Sequence, residues 1–109
     1  MRRYEVILSP GAVRDLEDIG DYISKNDDPA RAGYVVSRIE AVINSLVMTP
    51  ERGSFLPELL TLGKKEYRQM FFKPYRVIYG VQGKTVRVHV IADGRRNMSA
   101  LLSRRLLNG

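Results

Sequence analysis

A chain of 109 residues, 44% hydrophobic and 28% charged, has room for one core rather than two and the balance of a globular protein rather than a disordered one. It has no cysteine, which excludes disulfides, thiolate metal sites and a cysteine nucleophile and fits a cytoplasmic setting; no apolar run approaches the roughly 20 residues of a membrane span, and Met1-Arg2-Arg3-Tyr4-Glu5 is not the start of a signal peptide. The net charge of +6 is uneven: residues 61–109 hold eleven Lys and Arg against Glu66 and Asp93, a field that attracts nucleic acid or an acidic protein.

The first element is a strand. From Arg3 to Leu8 the residues alternate, with Tyr4, Val6 and Leu8 on one face. Ser9-Pro10 then reads as an N-cap with proline at the first helical position. Val13, Leu16, Ile19, Tyr22 and Ile23 recur at helical spacing, predicting an amphipathic helix to about Lys25. Asp15, Glu17, Asp18 and Asp21 scatter around it as a solvated face, not a metal cluster. Asp28 caps a second helix with Pro29 at its start. Its stripe is Ala32, Val35, Val36, Ile39, Val42, Ile43 and Leu46, and Pro50 ends it. So short a turn between two amphipathic helices predicts an antiparallel hairpin.

Residues 50–65 read as a loop with Gly53, Pro57 and Gly63. Strands follow at Glu66–Phe72, Tyr75–Val81 and Thr85–Ala92. Pro74 separates the first pair, and Gln82-Gly83-Lys84 turns the second. Val86, Val88, Val90 and Ala92 are expected on one face, with Arg87, His89 and Ile91 on the other. Asn97 can cap a short last helix bearing Met98, Leu101, Leu102 and Leu106. The order β-α-α-β-β-β-α predicts a single α+β domain over residues 1–109. In it the N-terminal strand and helical hairpin pack on a small antiparallel sheet, with a short C-terminal helix. Periodicity alone leaves open whether the first strand lies inside the sheet or along its edge.

Five segments in order resemble the RelE/ParE toxin superfamily, in its ParE-like branch. They are Leu8-Ser9-Pro10-Gly11-Ala12 leading into Asp15-Leu16-Glu17-Asp18-Ile19; Leu46-Val47-Met48-Thr49-Pro50-Glu51-Arg52-Gly53; Glu66-Tyr67-Arg68; Tyr75-Arg76-Val77-Ile78-Tyr79; and Asp93-Gly94-Arg95-Arg96-Asn97. The resemblance runs from about Tyr4 to Leu106. It implies the toxin of a type II toxin–antitoxin pair, neutralised in a hetero-oligomer by an acidic antitoxin, without cofactor or membrane.

The family divides by target. RelE-type members cut messenger RNA on the ribosome with several Lys or Arg on the sheet and usually a late Tyr; ParE-type members poison DNA gyrase. Cutting at a 2′-hydroxyl needs proton transfer and cations around the phosphate. Here Arg68, Arg76 and Arg96 match basic positions, Met70 stands where a second sheet cation would, and no Tyr follows Tyr79. The resemblance therefore implies gyrase inhibition. The implied target-binding residues are Arg95, Arg96, Met98, Leu102, Arg104, Arg105 and Leu106, and the implied antitoxin-binding residues are Arg68, Tyr75, Arg76 and Tyr79. A ribosome-dependent endoribonuclease using Arg68, Arg76 and Arg96 is the alternative. A non-toxic basic nucleic-acid-binding module ranks lower, since no reading helix or stacking motif is recognisable. His89, the sole histidine, makes no metal site alone and reads as a structural strand residue.

Overall fold

The computed structural model describes residues 3–107. Strand β1 (Glu5–Leu8) is followed by helices α1 (Pro10–Asn26) and α2 (Pro29–Ser45). Both helix starts follow from their caps. The Ser9 hydroxyl accepts from the Ala12 N–H at 3.1 Å, and Asp28 Oδ1 accepts from the Arg31 N–H at 2.8 Å. Each satisfies a backbone donor that no carbonyl can reach. At the end of α1 the Asp27 N–H donates to the Ile23 carbonyl, so the chain reverses within two residues and the helices pack against each other.

Residues 46–66 are more structured than a loop. They form a two-residue strand, β2 (Ser54–Phe55), and one helical turn, α3 (Pro57–Leu60). Pro57 opens that turn, and Leu56 and Leu59 are 0% and 2% exposed; burial of two leucines offsets the poor intrinsic stability of so short a helix.

Strands β3 (Tyr67–Phe72), β4 (Tyr75–Gln82) and β5 (Thr85–Asp93) form a meander. Its turns are Lys73-Pro74 and Gly83-Lys84, and Gly83 takes φ +62°, a value glycine reaches without steric cost. The sheet order is β1-β5-β4-β3-β2. β1 takes the edge and runs parallel to β5, while the other pairs are antiparallel. The α+β class holds, in a mixed sheet rather than a wholly antiparallel one.

β5 does not keep one face throughout. Tyr79 pairs with Val88 and Ile78 with Val90, which leaves His89 as an extra residue, a β-bulge. Val86 and Val88 join the core beneath α1 and α2, with Val35, Ile39, Ile43, Val77 and Tyr79. Past the bulge the alternation changes. Ile91 faces the helical core, whereas Val90 and Ala92 face the opposite side. The expectation that Val86, Val88, Val90 and Ala92 share a face is therefore corrected, because one inserted residue inverts a period-2 pattern.

The opposite face has its own core. Helix α4 (Met98–Leu102), capped by the Asn97 side chain on the Ala100 N–H, lays Met98, Leu101 and Leu102 over Ile78, Val90 and Ala92, beside Leu56 and Leu59. The chain then continues as a π-helical turn, Ser103–Leu107. The sheet is thus covered on both sides. Among the described residues no helix is long and apolar enough to cross a membrane.

Candidate functional site

Strand register places the basic sheet residues. Arg68 lies opposite Tyr79 and Arg76 opposite Phe71. Directly opposed residues share a face, so Arg68 is on the side of α1 and α2 and Arg76 on the side of α4. The structure does not bring them together. Each is also committed. Arg76 is 8% exposed. Its Nε donates to Gln69 Oε1 at 2.7 Å, and its two terminal nitrogens donate to Glu58 at 2.7 and 2.9 Å. The hydrogen bond from Arg76 holds the Glu58 carboxyl below its ordinary range. Arg68 donates to the carbonyls of Gly53 and Glu51 at 2.9 and 3.2 Å, with its guanidinium 4.3 Å from the Phe55 ring centroid. Met70 packs against the helical core.

Tyr79 is fully buried. Its hydroxyl accepts from the Gly53 N–H at 3.0 Å, and burial pushes its pKa up. Gly53 is required at that point, because a Cβ there would lie 2.5 Å from the Gln69 carbonyl oxygen and 2.6 Å from the Tyr79 hydroxyl. Tyr79 is therefore a core residue, and Tyr75 alone of the two tyrosines reaches a groove.

The C-terminal segment divides into a buried half and an exposed one. Met98 and Leu102 are 5% and 1% exposed, and Leu106 packs against the same cluster. This apolar strip is already used by the sheet. Arg105 is fixed as well. It donates to both carboxylate oxygens of Asp15 at 3.0 Å and to the His89 carbonyl at 2.9 Å. Asp15 Oδ2 in turn accepts from the Ile91 N–H at 2.9 Å.

Strand β1 stops at Leu8, so beyond it the edge of β5 has no strand to pair with. Asp15 supplies the acceptor for the Ile91 N–H there, and Arg105 joins the Ser9 hydroxyl as a donor to the His89 carbonyl. Gly11 makes room for them, since a Cβ on it would lie 2.6 Å from Arg105 Nη2. Asp15 reads in the sequence as one of four solvated acids. The signal for its role is the small pair Gly11-Ala12 just before it, in the first turn of a helix, where a long side chain from elsewhere can lie close.

Three predicted residues stay exposed: Arg95, Arg96 and Arg104. Arg95 closes on Asp93 at 2.6 Å, and its hydrogen bonds lower the Asp93 pKa. Arg95 and Arg96 border a cleft of about 450 Å³ between α1 and the ends of β4 and β5, walled by Ile19, Tyr22, Tyr75 and Ile91, with Asp18 and Asp93 at its edge. Tyr22 is 69% exposed, while burial raises the pKa of Tyr75. Alongside, Arg31 lies over the Tyr34 ring, Tyr34 meets Phe72 edge-on at 6.3 Å, and Arg38 lies over Phe72. Exposed tyrosine and arginine around an apolar cleft is the composition of a protein-binding surface. Among the described residues no group of three His, Asp or Glu side chains could hold a metal ion.

Comparison with known proteins gives the following likenesses. The family model described as "ParE toxin of type II toxin-antitoxin system, parDE" matches residues 6–98. Toxin ParE3 of Caulobacter vibrioides is 29% identical over 91 residues, covering 84% of this chain and 87% of that protein. The chromosomal ParDE toxin–antitoxin system from P. aeruginosa contains a chain that superposes with a TM-score of 0.70 at 19% identity, covering 84% of this chain and 96% of that one. The toxin–antitoxin complex RelBE2 from Mycobacterium tuberculosis contains one with a TM-score of 0.59 at 22% identity, covering 85% and 93%. The two structural likenesses establish the fold.

Proposed function

The chain belongs to the ParE toxin family of type II toxin–antitoxin systems, and from that premise we propose that it inhibits DNA gyrase, trapping the enzyme with cleaved DNA, and is held inactive in the cytoplasm by a cognate antitoxin. The observation that carries the choice of gyrase over messenger RNA is the disposition of Arg68, Arg76 and Arg96. Arg68 and Arg76 are on opposite faces of the sheet, and Arg76 is neutralised by Glu58. Gln69 and Phe71, on the Arg76 face of β3, carry no charge. A phosphorane-like transition state needs several preorganised cations, each worth roughly 100–1,000-fold in rate; Arg96 alone makes a poor nuclease.

The exposed target contacts in this reading are Arg95, Arg96 and Arg104. Met98, Leu102, Leu106 and Arg105 hold the segment that presents them. The antitoxin is proposed to lay an apolar helix along the cleft at Tyr22 and Tyr75, with acidic residues toward Arg31, Arg95 and Arg96. Burial supplies its affinity and charge complementarity its rate and specificity. Both structural likenesses are to chains of toxin–antitoxin assemblies, which supports a hetero-oligomer.

Purified protein tests the reading directly. Inhibited gyrase supercoiling with accumulated cleaved DNA, and intact messenger RNA on programmed ribosomes, is the expected result. Ribosome-dependent cleavage that requires Arg96, with gyrase unaffected, makes the chain an endoribonuclease instead.

A further inference from the structure

The β-bulge does more than change the core-facing side of β5. It leaves His89 and Val90 together on the α4 side of the sheet, where the His89 ring meets Tyr67 edge-on at 5.4 Å. The neighbouring cross-strand row on this face is Tyr67, Gly80 and Arg87. Gly80 has no side chain to fill the space between its neighbours; a Cβ there would come within 3.3 Å of the Glu66 carbonyl oxygen and 3.6 Å of His89 Nε2. The result is a groove of about 500 Å³ with a glycine floor, an aromatic wall and a rim that carries Arg87 and Glu66. Bulges that re-aim a side chain and glycines that let a ligand approach a strand both recur at functional sites.

The groove is lined by one base, Arg87, and one acid, Glu66. The charged groups acting on the ring are Arg87, on its own strand, and Arg105, from the C-terminal segment. Arg105 is occupied by Asp15. Arg87 is exposed and forms no ion pair among the described residues. Within them, neither His89 ring nitrogen is hydrogen-bonded, whereas its backbone carbonyl is. Tyr67 faces the ring from β3, and Glu66, just before that strand, is exposed at the groove's margin. Burial first, then the two arginines, lower the His89 pKa, which disfavours the imidazolium in the empty groove. An incoming anion would reverse that bias.

We propose that this groove binds a nucleic-acid phosphate, with Arg87 as the charge, His89 as the hydrogen-bonding partner over the Gly80 floor, and Tyr67 as the wall against which the adjoining base rests. Guanidinium recognition of phosphate and aromatic contact with a base are the usual elements of sequence-tolerant strand binding. The site is separate from the cleft at Tyr22 and Tyr75 and does not rest on the gyrase reading. It supplies a direct contact with the nucleic acid of whichever complex the toxin enters.

His89 is the single histidine, so its ring resonances report on the site without assignment. The experiment titrates untagged protein with inorganic phosphate, a ten-nucleotide single-stranded DNA and its RNA counterpart. The expected result is movement of the His89 signals and a rise of its pKa on saturation with an oligonucleotide. Arg87→Gln should weaken that binding about tenfold and reduce the slope of log affinity against log salt by about one. Lys25→Gln, at the exposed end of α1, should leave both unchanged. Preference between the DNA and RNA arms identifies the source of the phosphate. His89 signals that move with neither oligonucleotide, even if inorganic phosphate shifts them, overturn the proposal, as does equal binding by Arg87→Gln.

Discussion

The two faces of the sheet are built on different principles. Under α1 and α2 the core is a continuous apolar layer between the sheet and two helices of 17 residues each. Under α4 the cover is one short helix and a π-helical turn. That face is held by apolar contacts together with two arginine ties, Arg76 to Glu58 and Arg105 to Asp15. The first face is insured by its area. The second depends on a few residues far apart in sequence, and it is also the face whose cover carries Arg96 and Arg104. An arginine count therefore overstates what is available to a partner, because the arginines that hold the segment are unavailable as contacts.

Removing an apolar anchor from the second face should have the largest effect. Leu102 is 1% exposed, and Leu102→Ala should lower stability by about 2–5 kcal/mol, the range for a leucine truncated in a core. Leu107→Ala, at a position 37% exposed, should stay within about 0.5 kcal/mol. Urea midpoints at unchanged slope measure both. Equal effects would mean that α4 is not a core layer.

Glu58→Leu should come next. It leaves Arg76, whose side chain is 9% exposed, without its carboxylate, at a cost of about 1–3 kcal/mol. The double change Glu58→Leu with Arg76→Met should recover part of that loss, because a well-packed apolar pair can replace a buried ion pair. If the double variant is worse than Glu58→Leu alone, the cost of Glu58→Leu does not come from leaving Arg76 without its partner.

Gly11→Ala is a finer probe. Its added methyl would meet Arg105 Nη2, so the two positions should couple. Gly11→Ala and Arg105→Met should each destabilise, and the double variant should be less destabilised than their sum by about 0.5–3 kcal/mol. Strict additivity would separate Gly11 from the Asp15–Arg105 tie.

Much of the first face was legible in the sequence. Ser9-Pro10 and Asp28-Pro29 announce their helices, because a side-chain acceptor followed by proline meets the local needs of a helix start. A 3.6-residue stripe such as Val35-Ile39-Ile43 has few competing readings. The second face was less legible for two physical reasons. The bulge at His89 adds one residue between apolar residues on both sides, so alternation seems to continue while the facing inverts. The ties from Asp15 to Arg105 and from Glu58 to Arg76 join residues 90 and 18 positions apart, and no local pattern encodes such a pairing. Arg68, Arg76 and Arg105 were legible as basic residues, but not as residues already engaged.

The smallest expected effects are on pH dependence, and they separate two sites on the α4 face, the Glu58–Arg76 tie and the His89 groove, without truncating anything. The folded-state pKa of Glu58 is lowered from 4.5. Its stabilisation is therefore fully present above that value and is lost as pH falls through the folded pKa. His89 is lowered from 6.5; folding opposes its protonation, so stability should decline as pH falls below 6.5 toward the folded pKa and level off beneath it. His89→Gln should remove the upper decline and keep the lower, whereas Glu58→Gln should do the reverse. A single unchanged profile for all three proteins would contradict both assignments.

The central claim is that free arginines on a tied-down C-terminal segment act on gyrase. It is tested most directly by measuring cleaved DNA accumulated by gyrase with wild type and with the double variant Arg96→Glu, Arg104→Glu. The account predicts that wild type traps cleaved DNA and that the double variant loses this effect while its unfolding midpoint and pH profile stay those of wild type. Undiminished trapping by the double variant, or ribosome-dependent RNA cleavage by wild type without any effect on gyrase, would contradict it.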